Sequence, residues 1–289
     1  MANQLKTILL LGALSALIVT IGGLISPAGL YVAAAIAVVM NIGGYLYSDQ
    51  LVLRMTRARV IERQQAPALF DAVEQLAAAA GLPTPKVAVV PDAAPNAFAT
   101  GRSPDRAVVA VTEGLLRLVE PRELRGVLAH ELGHVKNRDT LVATVAAAGA
   151  GAISFVAQMV QWNALFGGLS SDDDDGGGGL GALLLSFLAP IGAVLIQAGI
   201  SRSREYMADE FAARLTRDPQ ALASALAKLQ RYGQELIQRG ASRPAPVATS
   251  LAIVNPVANL RGGAAGLTNL FSTHPPTQAR IERLLALRL

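Results

Sequence analysis

His130 and His134 have the residue type and the spacing to bind one metal ion together, if the segment that carries them is helical. An α-helix places residues four apart on one face, about 6 Å apart along its axis, so both imidazoles can reach the same ion. On that helix Glu131 is turned about 100° from His130. Glu131 is therefore poorly placed as a ligand but well placed to take a proton from an attacking water molecule.

The third ligand of such a site has to come from elsewhere in the chain, because a catalytic zinc ion usually has three protein ligands and one open position. The chain contains no cysteine, so its ligands must be nitrogen or oxygen atoms. Asn137 and Thr140 stand where one class of these sites has glycine and a third histidine, which excludes that class. No glutamate lies between Glu131 and Glu205, so the third ligand is an aspartate or Glu205. The alternative is a helix with two surface histidines and no metal.

The chain whose helices and strands must position these residues is too apolar for an ordinary soluble domain. Of 289 residues, 52% are hydrophobic and 16% are charged, and the mean hydropathy is +0.40. Four segments have the roughly 20 apolar residues of a membrane-spanning helix: 7–25, 30–47, 141–160 and 180–200. A cleavable signal peptide is the alternative for the first segment. The net charge of +4 does not indicate a nucleic-acid partner, because the basic residues are scattered and aromatic residues make up only 4%.

The basic residues flank these segments on one side only. They are Lys6, Arg54, Arg57, Arg59, Arg63, Lys136, Arg138, Arg202 and Arg204. The positive-inside rule then places both termini and residues 49–138 in the cytoplasm, and the four aspartates at 172–175 on the opposite side. Asp139 is too close to His134 in the sequence to fold back as a ligand, whereas Glu205 returns to the cytoplasmic side directly after the fourth segment. We therefore predict Glu205 as the third ligand of one Zn²⁺ ion per chain.

The polar segments indicate a mainly α-helical fold with a small β-sheet. We predict helices at 67–80, from Pro121 through the histidine motif, at 203–215, at 219–238 with Asp218 as its cap, and from near Pro276 onwards. We also predict extended runs at 86–90, 96–100 and 107–112, and loops at 240–272. The predicted organisation is two membrane helices at 1–48, a cytoplasmic catalytic part at 49–139, two further membrane helices at 140–200 and a second cytoplasmic catalytic part at 201–289.

Asp209 lies one helical turn after Glu205 and is predicted to face the same way. A carboxylate at that position is able to accept the second ring N–H of a ligating histidine, which orients the imidazole. The alternative is a carboxylate that faces solvent or pairs with an arginine.

Several segments together resemble the HtpX heat-shock membrane proteases, which are relatives of the CAAX prenyl-protein endopeptidases. The shared segments are Asn-Ala-Phe-Ala-Thr-Gly at 96–101, the run at 130–139, Ser-Arg-Glu-Tyr at 203–206 with Asp209, and Ser-Thr-His-Pro-Pro at 272–276. The resemblance covers nearly the whole chain. It implies a multi-pass protein of the bacterial inner membrane, with a zincin-like (gluzincin) catalytic domain that faces the cytoplasm.

The resemblance also implies an activity: a zinc endopeptidase that cleaves misfolded or damaged membrane proteins, with Glu131 as the catalytic carboxylate. In related enzymes the residues that correspond to His274 and Arg280 face the scissile carbonyl, where they would stabilise the oxyanion. Alternatively, His274 caps a loop, and Arg280 pairs with Glu282 or a phosphate headgroup. The chain departs from the family in the Asp- and Gly-rich loop at 172–179, which bears on oligomerisation or periplasmic contacts.

The segment with Asn96, Ala97 and Phe98 resembles the family's edge strand, to which a peptide substrate adds as a further strand. The alternative for this segment is an ordinary short strand.

Two other functions compete with the zinc endopeptidase. An intramembrane-cleaving protease needs the motif in an apolar span, which Arg122 and its charged neighbours contradict. A non-catalytic, zinc-stabilised membrane scaffold or chaperone would have no use for Glu131 beside an open metal position.

Overall fold

The computed structural model describes residues 27–141, 202–238 and 275–289, and in the first apolar segment residues 11–12, 15–16, 19–20 and 23. Most of the first predicted membrane segment, nearly all of the third, the whole fourth, the predicted loops at 240–272 and His274 lie outside the described residues. The second predicted segment lies within helix α1, Pro27–Met55. Within the described ranges, no helix is both long enough and apolar enough to cross a membrane.

A four-stranded mixed sheet follows α1 in the chain. Its strands are β1 (Arg59–Ile61), β2 (Lys86–Val90), β3 (Ala97–Thr100) and β4 (Val108–Thr112), in the spatial order β1-β2-β4-β3. β2 and β4 are parallel, whereas both outer strands are antiparallel to their neighbours. The three predicted extended runs are confirmed within one residue at their ends. β1 was not predicted, because three residues are too few for an alternating pattern to be visible.

Two helices connect or follow these strands. Helix α2, Pro67–Ala80, has Pro67 in its first turn and ends at Gly81, whose φ of 68° is in the left-handed region. Both features were visible in the sequence, so the bounds of this helix are predicted correctly. Helix α3, Glu113–Leu118, begins after Thr112, whose hydroxyl accepts a hydrogen bond from the Leu115 amide.

The histidine motif lies on helix α4, Pro121–Lys136. The Glu120 carboxylate accepts a hydrogen bond from the amide of Glu123, and the Glu123 side chain accepts one from the Glu120 amide. This reciprocal arrangement satisfies backbone donors that a helix start otherwise leaves unpaired. The remaining described helices are α5 (Arg202–Thr216), α6 (Pro219–Gln238) and α7 (Thr277–Ala286).

Helix α4 is the central element of the core. It packs between the inner face of the sheet and helices α2, α5 and α6, and its Val127, Leu128 and Leu132 are completely buried. The other face of the sheet packs against the end of α1, where Phe98 and Val52 belong to a second apolar cluster. Because α4 is held on several sides, the motif that it carries has little freedom to move.

Candidate metal centre and active site

The two imidazoles of the motif meet on the buried face of α4. His130 Nε2 lies 3.2 Å from His134 Nε2, and the rings are nearly perpendicular. Zinc–nitrogen bonds of about 2.0–2.1 Å in a tetrahedral site would separate two ligand nitrogens by about 3.3 Å. The observed separation therefore fits two ligands of a single ion.

Glu205 reaches these histidines from the first turn of α5. Its Oε1 lies 3.5 Å from His134 Nε2, and its Oε2 lies 3.7 Å from His130 Nε2. Candidate ligand atoms of the three residues all lie within 4.8 Å of one another. Two imidazoles and one carboxylate are a known donor set for a catalytic zinc ion, so the residues present fit the metal that the sequence predicts. The structure thus brings together residues that are separated by about 70 positions in the chain.

Asp209 lies behind His130, on the side of the ring away from the other ligands. Its Oδ1 is 2.9 Å from His130 Nδ1. Burial would raise the pKa of Asp209, but the Arg280 guanidinium and the hydrogen bond with His130 hold it at about 2. Burial lowers the pKa of His130 despite this carboxylate. Asp209 is therefore a charged acceptor for the His130 ring, which is the geometry expected of a residue that orients a ligand.

Arg280, on α7, is one of the most completely buried side chains described. Its Nε and Nη2 donate to Asp209 at 2.8 and 2.7 Å, and its Nη1 lies 3.4 Å from Glu205 Oε2. It does not pair with Glu282, whose carboxylate accepts a hydrogen bond from Gln278. Negative charge from Asp209 and Glu205 raises the pKa of Arg280 against the effect of burial. The C-terminal helix thus supplies a cation to the candidate metal site.

Asp139 lies behind the His134 ring, a position that was not predicted from the sequence. Its Oδ2 lies 3.4 Å from His134 Nδ1, and its Oδ1 lies 3.4 Å from Arg204 Nη1. Contrary to the prediction, the chain does fold back here, because Arg138 adopts a left-handed φ of 56°. The sequence signal that could have indicated this turn is the end of the predicted helix directly after the motif. Burial alone would lower the pKa of His134, but Asp139 and Glu205 raise it to about 9.

Glu131 is buried beside the three candidate ligands. Burial is the main cause that raises its pKa, to about 7, and nearby Glu205 acts in the same direction. His134 and a hydrogen bond from the Ala99 amide act in the opposite direction. A carboxyl group whose pKa lies near neutrality is suited to accept and release a proton at physiological pH.

Among the strands of the described residues, β3 lies at the edge of the sheet, as the resemblance implied for the segment with Asn96, Ala97 and Phe98. The Asn96 carbonyl accepts a hydrogen bond from the last residue of β4. The Phe98 side chain is buried on the sheet face away from α4. The ring of Phe98 is thus turned away from the metal site, whereas the main chain of the strand passes beside Glu131.

Comparison with known proteins places these features in a family. Residues 63–288 match the model of Peptidase family M48. A "Protease HtpX homolog" of Syntrophobacter fumaroxidans is 50% identical, over 98% of this chain and 99% of the relative. A protein of the same name from Thermococcus kodakarensis is 49% identical, over 97% of this chain and 94% of the relative. A crystal structure of S. mikatae Ste24p, at 19% identity and a TM-score of 0.46, aligns with 88% of this chain, which spans 57% of that structure's length. The extent of the family match and the identity to relatives of the same length show that the chain belongs to peptidase family M48.

Proposed function

We propose that this chain is a zinc-dependent endopeptidase of the HtpX type, in which His130, His134 and Glu205 hold the metal ion and Glu131 is the general base. The observation that carries this proposal is the convergence of the candidate ligand atoms within 4.8 Å of one another. A catalytic zinc site needs three protein ligands and one open position, and this set would supply the three ligands. Membership of a peptidase family supports the same conclusion.

The residues around the metal site account for the proton transfers of peptide hydrolysis. When bound, zinc would polarise the substrate carbonyl and lower the pKa of the attacking water. Glu131 would take the proton from that water and later deliver it to the leaving amine. Its pKa of about 7 suits both steps. Because the Ala99 amide donates to this carboxylate, β3 would orient the base as well as the substrate.

The substrate would bind along the outer edge of β3. The Asn96 carbonyl points toward β4, and main-chain groups of an antiparallel strand alternate in direction, so those of Ala97 and Ala99 face the outer edge. Because the Ala99 amide donates to Glu131, an extended peptide would pair with the Ala97 amide and carbonyl and with the Ala99 carbonyl. Such a peptide is recognised through its main chain rather than its sequence. Recognition through the main chain favours unfolded polypeptide segments as substrates. Asn96 and Phe98 would contribute by holding the strand in place.

His274 and Arg280 would stabilise the oxyanion that forms on the substrate carbonyl. The Arg280 guanidinium donates to Asp209 in the described structure, so its effect on the carbonyl would be electrostatic rather than a direct hydrogen bond. His274 would act as the direct donor.

The chain would act as a multi-pass protein of the bacterial inner membrane, with its active site in the cytoplasm and with damaged membrane proteins as substrates. The four apolar segments, the one-sided distribution of basic residues and the exposed apolar side chains of α1, such as Tyr31 and Val39, support this proposal. Reporter fusions test the topology. A fusion at Arg102 is expected to give a cytoplasmic signal and a fusion at Gly176 a periplasmic one. The reverse pattern would reject the orientation.

The function itself is tested by metal content and protease activity of the full chain purified in detergent. We expect wild-type protein to contain zinc and to cleave casein, and Glu131→Gln to contain zinc without cleavage. Glu113→Gln is the matched control, because Glu113 is exposed and its carboxylate pairs with Arg117 at the surface. Cleavage by Glu131→Gln would refute the assigned base. Zinc binding without any cleavage by wild type would instead favour a non-catalytic scaffold.

A further inference from the structure

We infer that Asp139 and Arg204 form a positioning pair that orients the His134 imidazole and aligns it with Glu205. This inference rests on the proposed metal site and adds two residues to it. Neither residue was predicted from the sequence to have a role toward the His134 ring. Both side chains are buried beside the candidate ligands.

The backbone turn after α4 brings Asp139 beneath His134. The helix ends at Lys136, and the amide of Asn137 donates to the Gly133 carbonyl at 3.0 Å. Arg138 then adopts a left-handed conformation, and the Asp139 amide donates to the His134 carbonyl at 2.9 Å. This hydrogen bond ties Asp139 to the residue whose side chain it faces. The left-handed conformation of a non-glycine residue is maintained only where the surrounding structure requires it.

Asp139 lies on the side of the His134 ring that points away from the metal site. The Nε2 atom of His134 faces His130 Nε2 at 3.2 Å, whereas Nδ1 faces Asp139 Oδ2 at 3.4 Å. Asp139 is therefore an acceptor for the second ring nitrogen and not a ligand. An acceptor at Nδ1 places the ring hydrogen there, so the lone pair of Nε2 is available for a metal ion.

Arg204 connects this acceptor to the helix that carries the third ligand. Its Nη1 lies 3.4 Å from Asp139 Oδ1, and the next residue in α5 is Glu205. A buried carboxylate is costly unless a cation or hydrogen-bond donors compensate it, and the Arg204 guanidinium is such a cation. The pair therefore links the end of α4 to the start of α5, which are the two elements that supply the ligands.

The arrangement repeats the one behind the other histidine. His130 is backed by Asp209, which is backed by Arg280. His134 is backed by Asp139, which is backed by Arg204 at longer distances. A carboxylate behind each imidazole makes both rings more basic and therefore stronger ligands for a metal ion. The shared pattern favours a role toward the metal over a role in packing alone.

The experiment measures zinc affinity of the full chain by chelator competition, together with the melting temperature of the metal-free protein. We expect Asp139→Asn to lower zinc affinity about 10- to 100-fold, the usual effect of removing such a partner. Arg204→Gln is expected to lower it less, and the double variant to lose no more than Asp139→Asn, because Arg204 acts through Asp139. In cobalt-substituted protein, Asp139→Asn is expected to shift the visible absorption bands, which report ligand geometry.

Asp218→Asn is the matched control for a purely structural effect. Asp218 accepts a hydrogen bond from the Ala221 amide at the start of α6 and pairs with Arg122, away from the metal site. This variant is expected to lower the melting temperature without changing zinc affinity. Unchanged zinc affinity in Asp139→Asn would overturn the inference. If that variant does not fold, unchanged affinity in Arg204→Gln decides in the same sense. A wild-type protein that binds no zinc would reject the proposed metal site itself, and the inference with it.

Discussion

Arg280 donates two hydrogen bonds to Asp209, from Nε at 2.8 Å and from Nη2 at 2.7 Å, in a part of the protein where both side chains are almost completely buried. The same guanidinium lies 3.4 Å from Glu205, so one cation faces two carboxylates of the site. The C-terminal helix α7 is therefore required to compensate buried negative charge.

Arg280→Met is expected to destabilise the metal-free protein by about 3–5 kcal/mol, because removal of one partner leaves buried carboxylates without their cation. Urea unfolding at neutral pH measures this. Arg283→Met on the same helix is the control: Arg283 stacks on Tyr206 but is half exposed, so its loss is expected to cost no more than about 1 kcal/mol. Equal effects of the two substitutions would contradict a special role for the buried pair.

Glu205→Ala is expected to abolish stable zinc binding, because it removes one of three proposed ligands and leaves two imidazoles on one helix. Elemental analysis after gel filtration measures the zinc content per chain. Glu210→Ala is the control, because it lies on the same helix and its carboxylate pairs with Arg214 at the surface. Zinc content equal to wild type in Glu205→Ala would show that the third ligand is another residue.

Glu123→Gln is expected to lower stability more at neutral pH than in acid. The Glu123 carboxylate is buried and accepts hydrogen bonds from Lys228 at 2.7 Å and Ser224 at 2.6 Å. Burial alone would raise its pKa, but these bonds together lower it below the ordinary value of 4.5. A lowered pKa stabilises the folded state above the unfolded-state value, and this contribution is lost as pH falls through the folded-state value.

The measurement is the free energy of urea unfolding at pH 7 and at about pH 3, because the carboxylate contribution decreases as pH falls below the ordinary pKa of 4.5. At pH 7 the substitution is expected to cost about 1.5–3 kcal/mol, the range for a hydrogen bond to a charged group. At the lower pH the difference from wild type is expected to shrink. Glu113→Gln, at an exposed position, is expected to show neither effect. A cost for Glu123→Gln that stays constant between the two pH values would contradict the assigned ionisation.

Gly133→Val is expected to disturb the contact between α4 and α5 on which the metal site depends. A Cβ at Gly133 would lie 3.1 Å from Phe211 and 3.2 Å from the Ala208 Cα, closer than ordinary packing allows. Overpacking of this kind costs about 1–3 kcal/mol. Because Glu205 is on the displaced helix, zinc affinity should fall as well. Gly43→Ala, where an added Cβ meets nothing within 4 Å, is the control and should leave both quantities near wild type. Wild-type stability in Gly133→Val would contradict the close approach.

Local patterns in the sequence were sufficient for the features that depend on neighbouring residues. The spacing of four between His130 and His134 places both on one helical face, and their nitrogens do meet at 3.2 Å. Pro67 and Gly81 marked the ends of α2 because their backbone preferences act within one turn. The position of β3 at the sheet edge was predicted only through the family resemblance, because strand order depends on contacts between distant segments.

Only the tertiary structure decided which side chains stand behind the metal ligands. The turn at Arg138 that brings Asp139 under His134 depends on the packing of α4 against α5 as well as on local preference. The partner of Arg280 likewise depends on where α7 docks, and the burial of Phe98 depends on which sheet face α1 covers. The sequence alone determined the residues and the chemistry available, because residue type and short spacings are local properties. The fold determined their partners, because contacts across 70 or more positions arise only when the core assembles.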